Sequence, residues 1–246
     1  MARTKKKSLI SIVVPAKDEE ENIGHFLKRV KRVIKKNQKY KFEVIVVCDN
    51  CIDSTEKVVK KHQIKSLVRK RNPGKSKALF DGFRFAKGNI LVMMDADLSH
   101  LPEELPEMIK RFDKKKNIGL VIASRELGRS EDVTPIRRFG GISLNFLTNL
   151  LFETKLTDAI NGYKIFYREV FDSYDYEADG YAIEIELIAN ALRCGYEVAE
   201  IPSLEAKRFG GVAKSKVIKD GWLFLKEVLE EGIKYRVEKL RKILSL

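Results

Sequence analysis

Three cysteines and one tryptophan in 246 residues leave this chain without several familiar devices. So few thiols do not make the disulfide framework of a small secreted protein. Cys48 and Cys51 form a CxxC, but His25, His62, His100 and Cys194 lack the spacing that would complete a four-ligand zinc site. The pair also straddles a strand end, whereas a redox pair opens a helix. No apolar stretch reaches the roughly 20 residues that cross a bilayer. The longest uncharged one is FGGISLNFLTNLLF, at 139–152. The opening MARTKKK and SLISIVV run straight into acids with no small-residue cleavage site, so a cytoplasmic setting without a secretory leader is expected.

A glycine is missing where a phosphate loop needs one. NPGKSKAL contains GKS, but the position five before Gly74 is Arg69, which excludes that ATPase motif. Negative charge is also in deficit: 35 acidic against 48 basic residues give +13. That balance suits anionic partners, and with no recognition motif present no nucleic-acid partner is expected. The cations concentrate in the 1–7 tail and in KRVKRVIKKNQKYK, at 28–41, which reads as a solvated helix face.

What is present is regular alternation. SLISIVVPA, FEVIVVC, KSLVR, NILVMMDA and IGLVIAS read as buried strands. Between them DEEENIGHFLKRVKRVI, DSTEKVVKKH, NPGKSKALFDGFRFAKG and LPEELPEMIKRFDKK read as helices. Strand and helix in turn imply parallel βαβ units in a doubly wound α/β sheet, with ligands outside the carboxyl ends of the strands. Farther on, RELGRSEDVTP reads as a charged connection and about 136–152 as a helix. LTDAINGYKIFYREVF reads as loop and strand, DGYAIEIELIANALRCG as a helix and YEVAEIP as a strand. A long amphipathic helix closes the chain from 217 to 246, and the core from 8 to 216 reads as one domain.

Acids gather beyond three strands, in VVPAKDEEE, VVCDNCIDST and VMMDADLSH. Asp53 reads as a helix cap. Capping accounts for at most one of Asp95 and Asp97, and like charges so close repel unless a cation or a shared proton makes the arrangement tolerable. Mg²⁺ or Mn²⁺ held by these carboxylates and bridging to substrate phosphates accounts for both. For Lys75 and Lys77 a phosphate and plain solvent both remain open.

The ordered set SIVVPAKDEEENI, VVCDNCIDST, GKSKAL, DADLSHLPEEL, ASREL, LTDAINGYKIF and GYAIEIELI resembles the family-2 glycosyltransferases. Within them it is most similar to the dolichyl- or polyprenyl-phosphate sugar synthases, over about 8–216. The resemblance implies a GT-A fold, a Rossmann-like doubly wound mixed sheet with helices on both faces. It also implies inverting transfer from a nucleotide-diphosphate sugar, of GDP-mannose or UDP-glucose type, to a polyprenyl phosphate. On that resemblance Pro15, Ala16, Glu19 and Asp49 contact the nucleoside, with Lys75 and Ala96 beside the nucleotide. Asp95 and Asp97 form the DxD metal pair, and Arg125 and Arg138 lie near the phosphates. Glu184 approaches the acceptor, while Arg208, Ser215 and Lys216 belong to a late basic loop. The chain departs from the family pattern at Ser99, where many synthases carry a glutamine, and at Cys48 and Asp18.

A phosphate acceptor is already an anionic nucleophile, so no general base is required. For a hydroxyl acceptor Glu184 is the candidate base, its other reading being a surface acid beside Ile185, Ile188, Ala189 and Leu192. Related synthases place helices against the bilayer near FGGISLNFLTNLLF. Peripheral attachment to an anionic cytoplasmic membrane face is therefore expected, and changing Leu147 and Leu151 to Glu is expected to reduce transfer to polyprenyl phosphate while sparing donor hydrolysis. The alternative is a soluble enzyme acting on a small hydroxylated or phosphorylated acceptor. A nucleotidyltransferase opens with a glycine-rich loop that VPAKDEEENI lacks.

Overall fold

The computed structural model describes residues 8–112, 117–176, 180, 182–211 and 217–244. In chain order these form β1 (Leu9–Ala16), α1 (Glu20–Lys36), β2 (Lys41–Asp49), α2 (Thr55–Lys61), β3 (Lys65–Arg69), α3 (Lys75–Phe85) and β4 (Ile90–Met93). A 3₁₀ turn at Pro102–Glu104 leads into α4 (Leu105–Arg111) and β5 (Ile118–Ser130). Then come α5 (Pro135–Phe152), β6 (Lys164–Tyr167), α6 (Arg168–Asp172), α7 (Ile183–Arg193), β7 (Glu197–Glu205) and α8 (Val217–Leu244).

The strands make a seven-stranded sheet in the order β3-β2-β1-β4-β6-β5-β7. β1, β2, β3 and β4 pair in parallel, as the alternation requires, and β6 is antiparallel to both β4 and β5. This reversal makes the sheet mixed, and it positions the site. Lys164 at the start of β6 pairs with Met93 at the end of β4 and with Ile122 of β5. The loop entering β6 and the chain leaving β5 therefore reach the same edge as the end of β4.

Side chains alternate along each strand, so the two faces of the sheet bury different sets. Ile10, Ile12 and Val14 of β1 pack with Ile23, Phe26, Leu27 and Val30 of α1 and with Leu105 and Met108 of α4. Val13 of β1 faces the other way, toward Leu79 and Phe83 of α3 and Ile185 and Ile188 of α7. Gly82 lets α3 sit close to the sheet: a Cβ there would come within 2.4 Å of Val13 Cγ1. The cations of α1 do lie on its outer face, with Lys28, Lys31, Arg32, Lys35 and Lys36 exposed.

Two elements differ from the sequence reading. RELGRS is no connection; it continues β5 to Ser130, pairing Arg129 and Ser130 with Leu204 and Glu205 of β7. The register between β5 and β7 shifts from Ser124 to Arg129, an irregularity that re-aims the side chains between. The helix expected from LPEELPEMIKRFDKK is shorter, a 3₁₀ turn and then seven residues of α4. The amino-terminal tail and the segment 212–216 lie outside the described residues.

Candidate active site

The carboxyl ends of β1, β2 and β4, the bend in β5, the loop before β6 and the start of α7 meet at one sheet edge. Asp95 lies at its centre. Lys75 Nζ, on the first residue of α3, is 2.9 Å from Asp95 Oδ1 and 3.3 Å from Glu184 Oε1. Burial alone would raise the Asp95 carboxyl, but the charge and hydrogen bond of Lys75 and the charge of Arg208 hold it below the usual range. His100 Nδ1 accepts the Asp95 backbone N–H at 3.3 Å, and its ring stacks on Tyr163 with centroids 5.4 Å apart. Gly162 lies against this group: a Cβ there would sit 2.8 Å from Lys75 Nζ and 3.4 Å from both Asp95 Oδ2 and Glu184 Oε1.

Asp97 is held differently. Its Oδ1 accepts the Ser99 backbone N–H at 3.0 Å and the Ser99 hydroxyl at 2.6 Å. Its Oδ2 lies 2.8 Å from Arg208 Nη2, and Arg208 Nη1 lies 3.2 Å from Glu19 Oε1. Two hard carboxylates at a strand end, with no soft ligand between them, are a donor set that fits Mg²⁺ or Mn²⁺.

Glu184 corrects one reading. It is no surface acid but is 1% exposed, at the start of α7. Burial raises its carboxyl, and Lys75 and Lys164 only partly offset that. Its Oε2 is buried with no hydrogen-bond partner. Lys164 is fully buried, and its Nζ donates to the Ala159 carbonyl at 2.8 Å. Burial pushes this ammonium down to about 8, with Glu184, Asp158 and Glu200 opposing the shift.

Arg125 sits in the β5 irregularity and grips Asp158 with Nε at 2.7 Å and Nη2 at 2.8 Å; Nη1 reaches Glu205 at 3.3 Å. Burial would raise Asp158, but hydrogen bonds and charge from Arg125 hold it below the usual range. Arg138 is exposed on the first turn of α5, 3.5 Å from Glu126. Of the residues expected to contact the nucleotide, Ala16 is buried, Pro15 partly so, and Ala96 is buried between Asp95 and Asp97 in the chain. Asp49 is committed inward. Its Oδ1 takes Arg69 Nη1 at 2.5 Å and its Oδ2 the Gly74 N–H at 2.8 Å, so it fixes the turn that delivers Lys75. Lys75 thus faces acids rather than open solvent. Ser215 and Lys216 lie outside the described residues.

Asp158, Gly162, Lys164, His100 and Glu205 escaped the sequence reading. Lys164 leads an apolar run, so it reads as a strand's solvated first residue; only the antiparallel return of β6 buries it. Near the CxxC, the atoms of Asp18, Cys51 and Asp53 come close enough for a shared cation. Those carboxylates serve the backbone, however. Asp18 Oδ1 accepts the Ile52 N–H at 2.8 Å, and Asp53 accepts the N–H groups of Glu20 and Thr55 at 3.0 and 2.9 Å. The N-cap position of α2 is Ser54, so Asp53 lies one residue before the cap, where it binds the first N–H of α2 and ties the start of α1 to it.

A chain with this sheet and this edge has relatives. A solved glucosyl-3-phosphoglycerate synthase of Mycobacterium tuberculosis, in complex with phosphoglyceric acid, superposes with a TM-score of 0.73 at 20% identity, covering 93% of this chain and 80% of that one. The same synthase has also been solved with Mn²⁺, uridine diphosphate and glucosyl-3-phosphoglycerate. An uncharacterized protein of Methanocaldococcus jannaschii is 30% identical over 203 residues, 80% of this chain and 81% of its own length. A dolichol-phosphate mannosyltransferase of Pyrococcus furiosus is 27% identical over 216 residues, 84% of this chain, which spans only 59% of that enzyme. The profile of glycosyl transferase family 2 matches residues 11–175, and this segment contains the strand ends, the Asp95–Asp97 pair and the loop into β6. The chain has the GT-A fold and belongs to glycosyl transferase family 2.

Proposed function

We propose that this glycosyltransferase moves a sugar from a nucleoside-diphosphate sugar to a polyprenyl phosphate, inverting the anomeric centre. The observation that carries the reading is the pairing of the two DxD acids, each with its own protein cation, at the carboxyl edge of the sheet. A cleft with fixed charges of both signs suits a donor whose leaving group is a diphosphate.

The anomeric C–O bond breaks, and its electron pair leaves with the diphosphate oxygen. An acceptor phosphate oxygen attacks the opposite face and becomes the new bridging atom. Asp95 and Asp97 would hold Mg²⁺ or Mn²⁺, which when bound neutralises charge growing on the leaving group. Lys75 supplies a fixed positive charge beside them, preorganised by Asp95 and Glu184. Pro15, Ala16 and Glu19 frame the nucleoside side, and Asp49 acts by holding the Gly74–Lys75 turn. Arg125 fixes the Asp158 loop as a positioning residue, and Arg138 and Arg208 are the described cations offered to phosphate.

The acceptor is itself an anion, so no base is required. That agrees with a Glu184 that is buried, raised in pKa and placed against Lys75. The lipid form of the acceptor draws support from α5. Ile136, Phe139, Ile142, Phe146 and Leu150 are all more than half exposed along it, and Trp222 of the neighbouring α8 is 69% exposed. An apolar face beside Arg137 and Arg138, in a chain of net charge +13, suits peripheral contact with an anionic membrane. No helix among the described residues is long and apolar enough to cross one. The mannosyltransferase relative points the same way.

The test is transfer of labelled sugar from GDP-mannose and UDP-glucose, with Mn²⁺, to a polyprenyl phosphate and to a soluble phosphorylated hydroxy acid. Lipid-phosphate product supports the proposal. Product only from the soluble acceptor replaces it with the small-acceptor alternative.

A further inference from the structure

The segment that follows β7 is fastened across two strand ends. The Phe209 N–H donates to the Asp97 carbonyl at 3.2 Å, and the Ala206 N–H to the Ser99 carbonyl at 3.0 Å. Asn22 Nδ2 of α1 donates to the Gly210 carbonyl at 3.1 Å, and the Phe209 ring packs on His25 with centroids 4.6 Å apart. At the centre of this fastening the Arg208 guanidinium joins Asp97, beyond β4, to Glu19, beyond β1. All three side chains are 20% exposed or less.

This arrangement conflicts with cation binding. Asp97 Oδ1 already accepts two hydrogen bonds from Ser99, and Oδ2 belongs to Arg208. A divalent cation approaching Asp97 meets a guanidinium of like sign 2.8 Å from the same carboxylate. The other cation, Lys75, has less room to yield, because Gly162, Asp95 and Glu184 enclose it. Arg208 is carried by a loop, and its bonds are the ones that give.

We propose that Arg208 is a displaceable internal counter-ion. Without metal it closes the donor cleft by bridging Asp97 and Glu19. When Asp97 engages the cation of a bound donor, the guanidinium is released and becomes available to the anionic acceptor. This rests on the metal-dependent transfer reading above and adds a regulation to the same site.

The experiment measures Mn²⁺ binding by the electron paramagnetic resonance of free Mn²⁺, without nucleotide, in wild type and in R208Q. Loss of a competing charge should tighten Mn²⁺ binding roughly three- to tenfold, the scale of a partly screened ion pair. In the wild-type protein Mn²⁺ should also speed trypsin cleavage after Arg208, a readout that does not depend on the variant folding. Equal or weaker Mn²⁺ affinity in R208Q, or cleavage indifferent to Mn²⁺, overturns the counter-ion role. If wild type binds Mn²⁺ yet R208Q matches it, only this inference fails. If wild type binds no Mn²⁺ even with nucleoside diphosphate, the metal-dependent reading fails with it.

Discussion

Lys75 Nζ lies 2.9 Å from Asp95 Oδ1, an ion pair drawn between the first turn of α3 and the end of β4. Its position depends on Gly162, because a Cβ there would come within 2.8 Å of the ammonium. The contact is with the far end of a flexible side chain, so Gly162→Ala should fold with a loss of no more than about 1 kcal/mol. It should nonetheless lower turnover by about 10²-fold, the scale for removing one preorganised charge contact. Thermal denaturation and kcat measured together check this, and an active Gly162→Ala protein would show that Lys75 needs no fixed place.

Glu184 should display a trade of stability against function. Its carboxyl is raised by burial, so the folded protein holds that proton more tightly than the unfolded chain. Its contribution is therefore complete below the ordinary glutamate value of 4.5 and is lost as pH rises through the raised value. Glu184→Gln removes that loss. Its Tm advantage over wild type should be smallest near pH 4 and grow toward pH 7, while turnover falls as Lys75 loses one of its two anchors. A Tm difference independent of pH would contradict the assignment.

Arg125 should matter more to folding than its place in the ASREL motif suggests. Arg125→Ala leaves Asp158 buried and unpaired, a change that costs about 3 kcal/mol. Asp158 is held below the usual range, so the pair stabilises the protein above the ordinary carboxylate value and loses that effect as pH falls through the lowered one. Urea denaturation should show the gap between wild type and Arg125→Ala narrowing in acid. A stable Arg125→Ala protein with a pure loss of kcat would instead make Arg125 a catalytic residue.

The sequence exposes what is periodic and local. The alternation of β1 to β5 with helices is legible because apolar runs and capping signals repeat, and the DxD pair is legible because two acids follow a buried strand. The antiparallel β6 is not. KIFY is four residues long, and its direction depends on pairing between β4 and β5 that no local signal records. The fates of Lys164, Gly162 and Asp158 follow from that reversal, so they were hidden with it. Glu184 looks solvated beside an apolar stripe, yet α7 is covered by the sheet on one side and α8 on the other. Likewise Arg125 reads as a free cation because its partners, Asp158 and Glu205, are 33 and 80 residues away.

The apolar face of α5 also needs its residues reassigned. Leu147 and Leu151 turn inward, packing with the core, and Leu151 lies over Gly232 of α8. Phe139, Ile142, Phe146 and Leu150 face outward. Phe139→Asp with Phe146→Asp should therefore reduce sedimentation with anionic liposomes severalfold and leave Tm nearly unchanged, whereas Leu147→Glu with Leu151→Glu should lower Tm. Wild-type binding should weaken at high salt, because screening reduces the charge attraction. Liposome binding untouched by the outward pair would remove α5 as the contact.

The most direct measurement is transfer of labelled sugar to polyprenyl phosphate by wild type and Asp97→Asn, each with Mn²⁺ and with excess chelator. Wild type with Mn²⁺ should make glycosyl lipid. Chelator and Asp97→Asn should each reduce that rate by at least about 10²-fold, while Asp97→Asn keeps a Tm close to wild type. Undiminished transfer by Asp97→Asn, or by wild type in chelator, would contradict metal-assisted departure of the diphosphate at this edge of the sheet.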